Sequence, residues 1–195
     1  MGIPFKWFPT RHIPRDINTV NALLRNESWQ KVMVYRDPME RFLSAFNSKC
    51  LMGDPDGMRH CHKLLGLEHP TIEAVADRLA NGPLVCDPHW IPMARFCGGT
   101  VGSAWEQYTH HVFLHHLDAR VPEIFKGRVP AATSDKIEFY LNTSRFKNQG
   151  HITHAGNALA NVSMRTRMQI IDYYWEDYRL LLAHDEEQTT EVGAR

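Results

Sequence analysis

The stretch K-V-M-V-Y-R-D-P-M-E-R-F-L-S-A-F, residues 31–46, gathers the side chains best suited to holding an anion. Arg36 follows a β-prone run, Arg41 lies five residues on, and Ser44 and Ser48 come after it. Arg offers a planar fork of donors that matches phosphate, and a serine adds a hydroxyl that rotates to suit. Placed on a helix at about 100° per residue, Met39, Phe42, Leu43 and Phe46 share an arc of roughly 100°. Arg41, Ser44 and Ser48 then fall within about 60° of one another on the other side. A helix N-terminus that follows a strand also offers unbonded N–H groups to an anion. This pattern fits a phosphomonoester site. It also fits an Arg-Asp turn closing on itself, with Ser44 at the surface.

Histidine is the side chain suited to proton transfer near neutral pH, and the chain has 12. His89, in D-P-H-W-I-P, is the candidate base, with Trp90 beside it as an apolar or sugar-stacking wall. The alternative is a histidine that shapes a loop. His151 and His154 are weaker candidates for the base. His111 and His115, and the run His60-Cys61-His62, raise a metal site. No H-E-x-x-H accompanies them, and residues 108–114 read as well as a strand, so no metal is expected.

These residues need elements to hold them. Residues 17–24 read as a short helix and 31–35 as a buried strand. Asp37-Pro38 starts a helix, since Asp caps well and Pro suits the first helical position. Residues 53–70 read as loop. Thr71 caps a helix over 72–80 that stops at Asn81-Gly82-Pro83. Residues 87–102 are irregular, 108–114 form a second strand, and a helix lies near 122–126. Residues 127–156 carry few periodic signals. Met164, Met168, Ile171, Trp175, Tyr178 and Leu182 form an apolar stripe that predicts one continuous packing helix over 163–184, followed by a polar, frayed tail at 185–195.

Composition bounds the class. The chain has 195 residues, with 22 basic and 22 acidic side chains and a formal charge of zero. That balance excludes a general nucleic-acid binder, which needs a basic excess, and makes any anion site local. At 43% hydrophobic residues the chain can build a core. No window holds the ~18–20 apolar residues of a membrane span. The expected organisation is a single α/β domain over residues 1–184. The four cysteines, Cys50, Cys61, Cys86 and Cys97, suit two disulfides or four thiols. Three N-x-S/T sequons begin at Asn26, Asn142 and Asn161, against roughly one expected by chance, which leans towards a secretory lumen.

Three segments carry a family resemblance. R-D-P-M-E-R-F-L-S-A-F resembles the R-D-P-x-x-R-x-x-S-x-(Y/F) element of the Golgi carbohydrate sulfotransferases, the group that includes the chondroitin and dermatan enzymes. Residues 87–97, D-P-H-W-I-P through F-C, resemble the H-W-x-P segment of that family. Residues 170–178, I-I-D-Y-Y-W-E-D-Y, resemble its closing helix. Their order and spacing fit over about residues 25–182.

The resemblance implies a three-layer α/β domain like that of the P-loop kinases, with a mainly parallel sheet. It implies sulfuryl transfer from 3′-phosphoadenosine-5′-phosphosulfate (PAPS), without a metal, to a glycan or glycoprotein acceptor. Arg36, Ser44 and also Arg41 are the expected holders of the nucleotide 3′-phosphate, with His89 as catalytic base. The family's upstream K-x-G-C/S-T loop has no match, since Lys6 sits in F-K-W-F without small neighbours. The sequence thus reads as incomplete at its N-terminus, with a membrane anchor expected upstream and the Golgi lumen as location. A truncated, non-catalytic nucleotide- or glycan-binding module is the alternative. A kinase-like phosphoryl transferase is weaker, because G-x-x-x-x-G-K-(S/T) is missing.

Overall fold

Short β-branched and aromatic runs make the strands. V-M-V-Y forms β1 (Val32–Tyr35) and H-H-V-F forms β2 (His110–Phe113), both where the pattern predicts them. They pair in parallel, with Val32 opposite His110 and Tyr35 opposite Phe113. Parallel neighbours require a long crossover, and here residues 36–109 supply it. The computed structural model describes residues 17–51, 61–142 and 161–192, so Lys6, His60, His151 and His154 lie outside the described residues, as does the side chain of Cys97. Apart from the small parallel sheet the described residues are largely helical, a mixed α/β composition.

The described residues form two compact units. One comprises residues 37–51, 61–103 and 161–192; the other comprises 17–36 and 104–142.

In the first unit, α2 (Pro38–Phe46) starts as its sequence dictates, following α1 (Ile17–Arg25) of the second unit. Asp37 accepts the Glu40 N–H at 2.9 Å, and Pro38 occupies the first turn. Met39, Phe42, Leu43 and Phe46 are all buried, as their shared arc predicts. The helix continues as a π turn over Asn47–Leu51. Residues 61–65, within the expected loop, are helical instead, and Gly66 at φ +70° ends them while its N–H reaches the His62 carbonyl. Cys50 and Cys61 are disulfide-bonded in the core, and Cys86 is a free, exposed thiol. Next, α3 (Ile72–Asn81) is capped by Thr71, whose hydroxyl accepts the Ala74 N–H at 3.1 Å. Its Val75, Ala76 and Leu79 complete a core with Phe42, Phe46 and Trp90. Of the stretch 87–102 expected to be irregular, residues 87–92 are a turn as expected, and the chain then winds into a 3-10 segment (Met93–Gly99) and a single α turn (Thr100–Ser103).

The second unit holds the sheet, α4 (Leu117–Phe125) and α5 (Ala131–Asn142). α4 begins upstream of the expected position and carries Pro122 within it. α5 occupies a stretch with no predicted element, because its side chains are mostly exposed and leave no apolar stripe to read. Tyr35, Trp105, Phe113 and His111 form a chain of ring contacts over the strands, with centroids 4.4–6.1 Å apart.

The expected single C-terminal helix is two. α6 (Met164–Tyr173) ends at Tyr174, whose φ −98°, ψ 19° is not helical, and α7 (Trp175–Val192) starts after it. Residues 185–192, within the tail expected to fray, therefore continue a helix. The packing face also differs. Thr166, Ile170, Tyr174 and Asp177 are buried, while Met164, Met168, Trp175 and Leu182 from the apolar stripe are exposed, Met164 by 70%. Hydrogen bonds to the 3-10 segment and the turn before it selected the face, as described below. Ile171 and Tyr178 of the stripe do pack against the core.

The Cys50–Cys61 bridge closes a short loop between core positions, so removing it frees the unfolded chain. Cys50→Ala/Cys61→Ala should lower stability by about 2–3 kcal/mol, or roughly 5–10 °C in Tm, as thermal unfolding with and without reductant will show.

Candidate functional site

The three resembling segments meet in the first unit, on the backbone of residues 88–94. α2 presents Arg41 to it: one guanidinium nitrogen, Nη2, donates to the carbonyls of Pro88, at 3.1 Å, and of Ile91. Nη1 lies 3.6 Å from Asp177 Oδ2, and the guanidinium sits over the rings of Phe96 and Tyr174, at 5.1 and 5.6 Å from their centroids. From α7, Asp177 accepts the Met93 N–H at Oδ2 and the Ala94 N–H at Oδ1, both at 2.8 Å, and so caps the 3-10 segment. Between the helices, the Tyr174 hydroxyl donates to the Trp90 carbonyl at 2.8 Å. Trp90 is fully buried and meets Phe42 edge to face at 5.9 Å. An irregular segment is thereby fixed from α2, from α7 and from the break between α6 and α7.

Burial of Asp177 is nearly complete, at 1% exposed. Loss of water raises its carboxyl pKa above the ordinary value, against the opposing pull of the Ala94 and Met93 N–H groups and of Arg41. Burial likewise pushes the Tyr174 and Tyr178 hydroxyls up, so both stay protonated donors at any physiological pH. Neighbouring Glu176 forms a two-point ion pair with Arg95, at 2.8 and 3.0 Å. That hydrogen bonding holds Glu176 below its ordinary pKa and Arg95 above it.

His89 stands on this braced segment, its side chain 37% exposed. Its Nδ1 lies 2.8 Å from Asp87 Oδ1, which also accepts the His89 backbone N–H at 2.9 Å. A proton on Nδ1 facing Asp87 leaves the basic lone pair on Nε2. Asp87 thus joins the candidate site as the partner of its histidine. Its signal is the D-x-H spacing, which lets one carboxylate take both the backbone and the ring N–H.

The expected phosphate holders are placed as follows. Arg36 is a half-buried residue directly after β1, and Ser44 is half-buried in the body of α2. Arg41 is occupied otherwise: its side chain is only 13% exposed, and its contacts go to carbonyls, a carboxylate and two rings. The start of α2 also corrects an expectation. Pro38 has no N–H, the Met39 N–H bonds the Tyr178 hydroxyl, and the Glu40 N–H goes to Asp37, so these groups are already satisfied. Any anion bound here must be met by side chains. His111 and His115 do not share a helix, since one is in β2 and the other in a 3-10 turn (Leu114–His116), and the His111 ring meets the Trp105 carbonyl at 3.1 Å. Among the described residues no three His, Cys, Asp or Glu side chains gather as a metal site, and no helix is long and apolar enough to cross a membrane.

Removing the Asp177 carboxylate leaves Arg41 buried without its counter-charge and two N–H groups without an acceptor. Asp177→Ala should cost about 3–5 kcal/mol and speed hydrogen exchange at the Met93 and Ala94 amides, read by mass spectrometry. The pH dependence carries an unusual sign. Because the native carboxyl binds its proton more tightly than the unfolded one, its contribution to stability falls as pH rises from the ordinary carboxylate range through the raised native value. Urea midpoints between about pH 4 and about pH 7 should therefore shift in favour of Asp177→Asn, relative to the wild type, as pH rises.

No curated protein and no solved structure matches the chain. The model of the Sulfotransferase family matches residues 9–182 and takes in all three segments that build this network. On that match over most of its length, the chain belongs to the sulfotransferase family.

Proposed function

We propose that the protein transfers a sulfuryl group from PAPS to a hydroxyl of a carbohydrate acceptor, on a glycan or glycoprotein, in the Golgi lumen. Sulfuryl transfer is the reaction of the family; the donor, the acceptor class and the location come from the resemblance of the three segments to the Golgi carbohydrate enzymes. The observation that carries the reading is the Arg41–Asp177–Tyr174 network, which ties those segments together beneath an Asp87–His89 pair. The buried disulfide supports an oxidising compartment. A three-layer fold like that of the P-loop kinases, and an anchor upstream of this sequence, belong to the same reading.

The donor supplies an activated sulfuryl group on a phosphate leaving group. Arg36 and Ser44 hold the 3′-phosphate by charge-assisted hydrogen bonds from side chains, in keeping with the internal satisfaction of the N–H groups that start α2. Arg41 acts through the backbone it holds. His89, oriented by Asp87, accepts the acceptor's hydroxyl proton at Nε2 as the new oxygen–sulfur bond forms and the bond from sulfur to the phosphate oxygen breaks. Adenosine 3′,5′-bisphosphate leaves, and the sulfate ester remains on the sugar.

Immobilised adenosine 3′,5′-bisphosphate should retain the protein. Arg36→Ala should weaken binding about 10–150-fold and Ser44→Ala about 2–10-fold, the loss of a charged and a neutral hydrogen bond respectively. Unchanged retention of Arg36→Ala would overturn the assignment. His89→Gln should keep nucleotide binding and lower the transfer rate by ~10²–10⁴. Nucleotide binding with no transfer, in this chain and in an upstream-extended one, would make the protein a binding module.

A further inference from the structure

The turn between α1 and β1 holds a locally organised sequon, Asn26-Glu27-Ser28. All three residues are exposed. The Asn26 Oδ1 accepts both the Ser28 N–H, at 2.9 Å, and the Ser28 hydroxyl, at 2.7 Å, an Asx turn that three residues complete alone. Lys31 braces it, with Nζ donating to the carbonyls of Leu24, at 2.7 Å, and Asn26, at 3.3 Å. The serine hydroxyl thus already lies against the amide group that must react.

The sequon at Asn161 is built differently. Asn161 is exposed, but Val162 is buried at 4% and its carbonyl accepts from Arg167 Nε at 3.0 Å. The Ser163 hydroxyl caps α6, accepting the Thr166 N–H at 3.2 Å and lying 2.8 Å from the Thr166 hydroxyl. Here the hydroxyl has a structural task and the middle residue belongs to the core. Asn142 ends α5, and the remainder of its sequon lies outside the described residues.

We infer that Asn26 is an N-glycosylation site and that Asn161 is left unmodified. The inference rests on the lumenal part of the reading above, not on sulfuryl transfer. In the reaction the Asn26 Nδ2 attacks the anomeric carbon of a lipid-pyrophosphate-linked oligosaccharide. A nitrogen–carbon bond forms, the carbon–oxygen bond to pyrophosphate breaks, and an amide proton passes to the transferring enzyme. A glycan on this turn projects into water and displaces no core side chain.

The test routes the full chain through the secretory pathway of eukaryotic cells on an added cleavable leader. Peptide-N-glycosidase digestion in heavy-oxygen water then marks each formerly glycosylated asparagine for mass spectrometry. The mark is expected on Asn26 and not on Asn161; Asn26→Gln and Ser28→Ala should lose it, and Ser28→Thr should keep it. An unmarked Asn26, or a marked Asn161, overturns the inference. Because the leader forces entry to the lumen, the site is tested apart from the location. A marked routed chain beside an unmarked native protein supports the site and removes the Golgi assignment.

Discussion

A carboxylate that is almost wholly out of water must be partnered or neutralised, and Asp177 is the point on which the first unit turns. Its two oxygens take one backbone N–H each from Met93 and Ala94, and Arg41 supplies the counter-charge. The same guanidinium satisfies two carbonyls of the segment through Nη2 and covers two aromatic rings, so its edge and its face are both in use. Lysine would supply the charge but neither the fork nor the stacking plane. The pair is better regarded as a device of specificity than of bulk stability. Desolvating both groups offsets much of their attraction, yet together they satisfy two carbonyls and two N–H groups of this stretch of backbone.

That device is needed because residues 87–96 have no ladder of their own. A strand or long helix fixes side-chain positions through repeated backbone bonds, whereas a turn followed by a 3-10 segment must borrow its bonds from elsewhere. Tyr174 illustrates the demand. To place its hydroxyl on the Trp90 carbonyl it leaves helical geometry, and the C-terminal helix divides there. The result is that His89 sits on backbone whose neighbours on both sides are anchored: Pro88 by Arg41, Trp90 by Tyr174. Asp87 completes the hold, accepting the His89 backbone N–H and lying against the ring Nδ1.

What was legible in the chain followed from local rules. The Asp37-Pro38 start, the Thr71 cap, both strands and the buried arc of α2 all depend on neighbours within a turn or two, and all were readable. The C-terminal stripe misled because periodicity counts apolar residues, while the buried face was selected by what its polar atoms could bond. Thr166, Tyr174 and Asp177 do not resemble a core on a hydropathy scale, and each is buried because a cap, a carbonyl or a pair of amides awaits it. α5 was missed for the opposite reason: it buries too little to leave a pattern. The Cys50–Cys61 pairing needed tertiary proximity that no spacing argument supplies.

The two arginines of one short motif show how position divides labour between identical side chains. Both were readable as anion ligands, since the helical projection places Arg41 on the polar face of α2. A polar face is not always a wet one. Here Arg41 meets the segment before Met93 and Asp177 in the first turn of α7, so its charge is spent within the protein. The start of α2 is sealed in the same way, by Asp37 and by the Tyr178 hydroxyl. A helix whose own carboxylate caps it repels a second anion at that end rather than inviting one. A phosphate bound by this motif would therefore depend on Arg36 and Ser44 alone, and binding would respond steeply to loss of the single charged member. In an unsealed helix terminus the loss of one donor would be shared among several backbone N–H groups.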